Sequence, residues 1–103
     1  MTAEFSIVIT TLDSEAKAND VARSVVEQGL AACAQIAPIR SVYRWEGKTE
    51  QAHEWRLDLK TRTADYAALE AAIRAIHPYD TPEILRVDIA EGYGPYMAWM
   101  RSG

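Results

Sequence analysis

From Leu30 to Arg62 the alternation of polar and apolar positions is that of extended chain. Trp55, Leu57, Leu59 and Thr61 alternate with Glu54, Arg56, Asp58 and Lys60, a period of two that marks a strand with one buried face. Ahead of them stand Ile39, Val42, Tyr43 and Trp45, good strand formers. Between the two runs, Glu46-Gly47-Lys48-Thr49 supplies a tight turn whose glycine can take the positive φ that a two-residue loop needs. The pattern predicts one long hairpin, with Pro38 interrupting the first arm at a sheet edge or a bulge. Arms of about 15 residues at roughly 3.3 Å each reach on the order of 50 Å, whereas a domain of this size has a radius of gyration of about 13 Å. Such a hairpin must curl or protrude. A protruding end would carry Tyr43, Trp45 and Trp55 into water beside unpaired strand edges, so the tip is expected to pack on another copy of the chain.

The rest of the chain frames this hairpin. Phe5, Ile7, Val8 and Ile9 predict a first strand over residues 4–11, in the middle of a sheet. Asp13 or Ser14 then caps a helix over residues 14–28, with Ala18, Val21, Ala22, Val25 and Val26 on its apolar stripe. Gly29 is placed to end it. After the hairpin, Thr63 and Asp65 offer caps for a second helix, on which Tyr66, Leu69, Ile73 and Ile76 fall at helical spacing. His77 closes it and Pro78 cannot continue it. A fourth strand is predicted over residues 83–90, a turn over residues 91–95 and a short helix over residues 96–101. The order is that of an α+β, ferredoxin-like βαββαβ domain, one domain over residues 1–103. Two helices cover one face of an antiparallel four-stranded sheet. The other face is left bare, mixing the charged residues of the third strand with apolar residues of its neighbours.

Composition narrows the function. Of 103 residues 49% are hydrophobic, enough for a core, and the formal charge of −4 comes without any basic block, which argues against nucleic acid or an anionic membrane as partner. A single cysteine excludes an internal disulfide and fits a reducing, cytoplasmic setting. The start, Met1-Thr2-Ala3-Glu4, has no basic region followed by a long apolar run, so no signal peptide is expected, and no run approaches the ~18 apolar residues of a membrane span.

His77, Tyr79 and Glu83 share one stiff segment between two prolines. An imidazole and a carboxylate suit copper, zinc or nickel; alternatively His77 serves the helix end and Glu83 pairs with a basic side chain. Lys60, Arg62 and Arg86 either gather a small anion or are solvated and salt-bridged. Cys33, among Ala31, Ala32 and Ala34, reads as tight packing. Met97 and Met100, beside Trp99, read as packing rather than as a thioether copper site. Tyr43, Trp45 and Trp55 lack the positive groove of a base-stacking platform and suit the centre of an interface between chains. Thr11-Leu12-Asp13-Ser14 is no phosphate loop, and nothing sets Cys33 beside His53 or His77 as a nucleophile and its base.

Three segments, with Lys60-Thr61-Arg62 and Tyr96-Met97-Ala98-Trp99, carry a resemblance: Gly29-Leu30-Ala31-Ala32-Cys33-Ala34, Ser41-Val42-Tyr43-Arg44-Trp45-Glu46-Gly47-Lys48, and His77-Pro78-Tyr79-Asp80-Thr81-Pro82-Glu83. In this order they resemble the CutA family, the divalent-ion tolerance proteins, over nearly the whole chain. The resemblance implies a ferredoxin-like homotrimer, similar to the PII-like signal proteins, with its hairpins wrapped between subunits. It implies a link to copper tolerance and no catalytic activity. Some members carry a first-strand cysteine proposed as a copper ligand; here that region reads Val8-Ile9-Thr10-Thr11. The expectation is a non-catalytic homotrimer, requiring no cofactor, that binds copper or another divalent cation at clefts between subunits. His77 and Glu83 are its ligands, Lys60 and Tyr79 line the cleft, and Tyr43, Trp45 and Trp55 pack the trimer. The alternative is a structural or signalling trimer that binds a small anionic ligand.

Overall fold

The computed structural model describes residues 3–102; Met1 and Thr2 of the N-terminal reading, and Gly103, lie outside them. The elements are β1 (Phe5–Leu12), α1 (Glu15–Glu27), β2 (Cys33–Trp45), β3 (Lys48–Arg62), a 3-10 turn (Thr63–Asp65), α2 (Tyr66–Ile76), β4 (Ile84–Asp88) and α3 (Gly94–Ser102). The sheet has the order β2-β3-β1-β4 and every pairing is antiparallel. This is the expected βαββαβ plan, with β1 in the middle.

α1 and α2 cover one face. Ala18, Val21, Ala22 and Val25 of α1 and Leu69 and Ile73 of α2 close over Val8, Leu12, Leu57 and Leu59. Ser14 caps α1, its hydroxyl accepting from the Lys17 N–H at 3.1 Å, and Gly29 ends it at φ 74°. Two expectations change at the helix ends. Neither Thr63 nor Asp65 caps α2 with its side chain; the Thr63 hydroxyl instead meets Ser6 Oγ at 2.6 Å inside the sheet. α3 begins at Gly94 rather than Tyr96, because Pro95 sits in the first turn, where its missing N–H is not needed.

The second face is open except at one end. There Lys60 Nζ donates to the Tyr96 hydroxyl at 3.0 Å, the Arg62 guanidinium bonds the Arg101 carbonyl, and Phe5 and Met100 are buried. Elsewhere Leu85 and Val87 of β4 are about half exposed (53% and 50%).

The hairpin protrudes. β1 stops pairing at Leu12↔Trp55, so beyond that point Ile39–Trp45 and Lys48–Glu54 form a two-stranded ribbon that no third strand joins among the described residues. The molecule measures 44 × 27 × 22 Å, with a radius of gyration of 14.4 Å. Glu46 (φ 50°) and Gly47 (φ 77°) make the two-residue turn; both lie in the left-handed region, the signature of a type I′ hairpin loop. Pro38 causes no break: it pairs with Trp55 within a continuous β2, which is possible because β2 is an edge strand and the absent N–H costs the ladder nothing on its outer side.

Candidate functional site

The loop between α2 and β4 packs against the root of the ribbon. The α2 helix ends because Pro78 follows His77, whose ψ of 134° turns the chain extended. That turn aims the His77 ring at β1, where Nε2 lies 2.8 Å from the Thr11 carbonyl oxygen. The Tyr79 N–H donates to Nδ1 at 3.2 Å. Nδ1 is thus an acceptor, so Nε2 carries the proton and donates to Thr11. Burial pushes the His77 pKa below its ordinary value, against the opposing pull of the Thr11 hydrogen bond and the carboxylates of Asp13 and Glu54.

Tyr79 stacks edge-on against the His77 ring, centroids 4.8 Å apart. Its hydroxyl donates to Glu54 Oε2 at 3.0 Å. Burial, and then the bond to Glu54, push the phenol well above its ordinary range. Glu54 is the first β3 residue beyond the end of β1. The loop therefore ties to the strand at the place where the ribbon leaves the body.

The residues singled out from sequence fall into separate neighbourhoods. His77 and Tyr79 are together. Glu83 is exposed, and the nearby charge it acts on is Arg56. Lys60 sits six residues along β3 from Glu54, roughly 20 Å away by strand geometry, with its ammonium 5.0 Å from the Tyr96 ring centroid. Within one chain Lys60 and Tyr79 thus line no common cleft; the open hollow beside Tyr79 is lined by Ala71, Arg74, Ala75, Asp80 and Pro82. Arg62 is spent on Arg101, and Arg86 on Asp88 at 2.9 Å and on the Tyr66 ring. Among the described residues no three of His, Cys, Asp and Glu gather as a metal site. His77 has both ring nitrogens engaged, so one chain alone does not offer a closed cation site. Cys33 is half-buried, beside Lys60 across the β2–β3 ladder.

Of the three aromatics, Tyr43 and Trp45 lie on the open face of the ribbon and are 44% and 58% exposed. Trp55 lies on the other face, half-buried against the chain's own core. Sequence reading missed two partners: Glu54, which looked like one more wet-side charge, and the Thr11 carbonyl, for which a sequence carries no signal.

This architecture defines a class: a ferredoxin-like α+β protein whose β2–β3 ribbon outgrows its own sheet. Within that class, the model of the family described as CutA1 divalent ion tolerance protein matches residues 6–103, and the chain belongs to that family. It is 41% identical over 96 residues to the divalent-cation tolerance protein CutA of Thermus thermophilus, covering 92% of this chain and 93% of that protein. The solved structure of CutA1 from Shewanella sp. SIB1 superimposes with a TM-score of 0.95 at 35% identity, covering 99% of this chain and 96% of that one. That of Archaeoglobus fulgidus CutA, described as a periplasmic divalent cation tolerance protein, gives 0.93 at 34% identity, covering 95% and 96%. Among the described residues no helix is long and apolar enough to cross a membrane.

Proposed function

We propose that the chain acts as a homotrimer, without catalysis of its own, that holds copper or another divalent cation at clefts between subunits. The observation that carries this reading is the ribbon: seven residues of each arm stand clear of the body, with Tyr43 and Trp45 exposed on the face that continues the open side of the sheet. Leu85 and Val87 on the open sheet face are exposed in the same way. A single chain leaves this apolar surface wet at a cost of about 25 cal/mol per Å², and further copies remove the cost.

The family's name ties it to divalent cations. In this chain His77 and Glu83 are the proposed ligands, the imidazole of one copy meeting the carboxylate of another, since within one chain they lie in separate neighbourhoods. Nδ1 of His77 is the nitrogen to be given up, since its bond from Tyr79 is the longer of the two. A second copy would supply the remaining donors, because among the described residues one chain does not gather three. The lone cysteine supports a reducing, cytoplasmic setting.

Isothermal titration with copper and with zinc, on the native protein and on His77→Ala, tests the cation site. The reading predicts saturable binding by the native protein, lost in the variant. Equal, weak uptake by both removes His77 from the site. A trimer that binds a small anion is favoured by one feature, Lys60, whose ammonium faces a phenol rather than a carboxylate on the open face. Titration with inorganic phosphate on native and Lys60→Met protein distinguishes it.

A further inference from the structure

The two faces of the free ribbon differ in charge, and the register shows how. On the face turned to the helix side lie Arg40↔His53, Val42↔Gln51 and Arg44↔Thr49. All six side chains are exposed and none is a carboxylate. The opposite face takes the glutamates, with Ile39↔Glu54 and Tyr43↔Glu50. In an acidic chain this is a local inversion of sign.

It is also an unpaired one. Elsewhere on the sheet two exposed strand arginines meet a carboxylate two residues along on their own face, Arg56 with Asp58 at 2.8 Å and Arg86 with Asp88 at 2.9 Å, and the third, Arg62, bonds the Arg101 carbonyl. Arg40 has Pro38 and Val42 in those places and Arg44 has Val42. Among the described residues neither arginine makes an ion pair.

We infer that the Arg40–Val42–Arg44 face of the ribbon is a docking strip for an acidic peptide in extended conformation, with two carboxylates flanking an apolar residue in the pattern acid–x–apolar–x–acid. The match is one of spacing. Arg40 and Arg44 are four residues apart on a strand, roughly 13 Å, and an extended peptide repeats its side chains at the same interval. Each guanidinium can take a carboxylate in a two-pronged bond. Val42, 65% exposed between them, receives the apolar residue. A phosphate polymer would offer Val42 nothing. A single-stranded nucleic acid would need aromatic rings for its bases, and the ribbon's rings, Tyr43 and Trp45, are on the other face.

The test is fluorescence anisotropy of a labelled Glu-Ser-Ile-Ser-Glu peptide on the native protein, with Arg40→Glu/Arg44→Glu as the variant and a lysine-for-glutamate peptide as control. The inference predicts saturable binding that weakens with salt, a loss of about tenfold or more in the charge-reversed variant, and no binding of the lysine peptide. The control needs no variant, so the test survives a variant that fails to fold. Equal binding of both peptides, or unchanged affinity in a folded variant, overturns it. So does displacement of the peptide by a polyphosphate of equal charge at lower concentration. A change in the variant's assembly size by sedimentation overturns it as well, by assigning the arginines to contacts between copies.

Discussion

At the scale of the residue, Thr10 and His77 show how one polar group is settled or left unsettled. Thr10 is fully buried in β1, on the face under the helices, and its hydroxyl has no partner among the described residues. An unpaired buried hydroxyl costs about 1–3 kcal/mol, and valine has nearly its shape. Thr10→Val is therefore expected to stabilise the fold by about 1 kcal/mol, read as a higher denaturation midpoint at unchanged m-value. A loss of stability would mean that the hydroxyl is bonded in solution.

His77 gives a pH dependence of fixed sign. Its folded-state pKa lies below the ordinary 6.5, chiefly through burial, so below that pH the unfolded chain binds the extra proton more readily. The neutral ring contributes its full stability above about pH 6.5 and loses it as pH falls toward the lowered pKa. A protonated Nδ1 would also face the Tyr79 N–H, donor against donor. Unfolding curves across this range should show a decline in the native protein that His77→Gln lacks; parallel curves would mean that the ring is not held as described.

At the scale of the element, the ribbon and its strap are the informative parts. Tyr79→Phe removes the side-chain bond that ties the α2–β4 loop to β3 and leaves Glu54 without that donor. The expected cost is about 1 kcal/mol, together with faster hydrogen exchange at the ribbon root around Glu54 and Trp55. Unchanged exchange would show that the ladder alone holds the ribbon's root.

The hairpin was legible from sequence because period-two alternation over Trp55–Thr61 and a turn glycine at Gly47 are local signals. The Ser14 cap and the Gly29 stop were legible for the same reason. What escaped was non-local. Thr63 looked like a cap until Ser6, 57 residues away, took its hydroxyl. Trp55 looked like a companion of Trp45 until the register put them on opposite faces. His77 and Glu83 share one short loop in the sequence, yet the His77 ring bonds the Thr11 carbonyl and the Glu83 side chain is exposed. Spacing along a chain predicts who shares a face of a regular element; it carries no such information through an irregular loop.

At the scale of the whole molecule, the chain builds an adequate core for its body and then adds a ribbon that the body does not cover. The open sheet face and the ribbon's aromatic face lie on the same side, with Tyr43 and Trp45 continuing the surface that bears Leu85 and Val87. An interface of standard size removes roughly 800 Å² per partner, and this continuous surface is where the chain offers apolar area to one. Assembly is thus the claim that everything proposed about clefts and ligands between subunits depends on.

Sedimentation equilibrium of the full chain at micromolar concentration tests that claim most directly. The account predicts a single species of three chains, with Trp45→Ala weakening it toward smaller forms. A stable, well-behaved single chain at that concentration would contradict it.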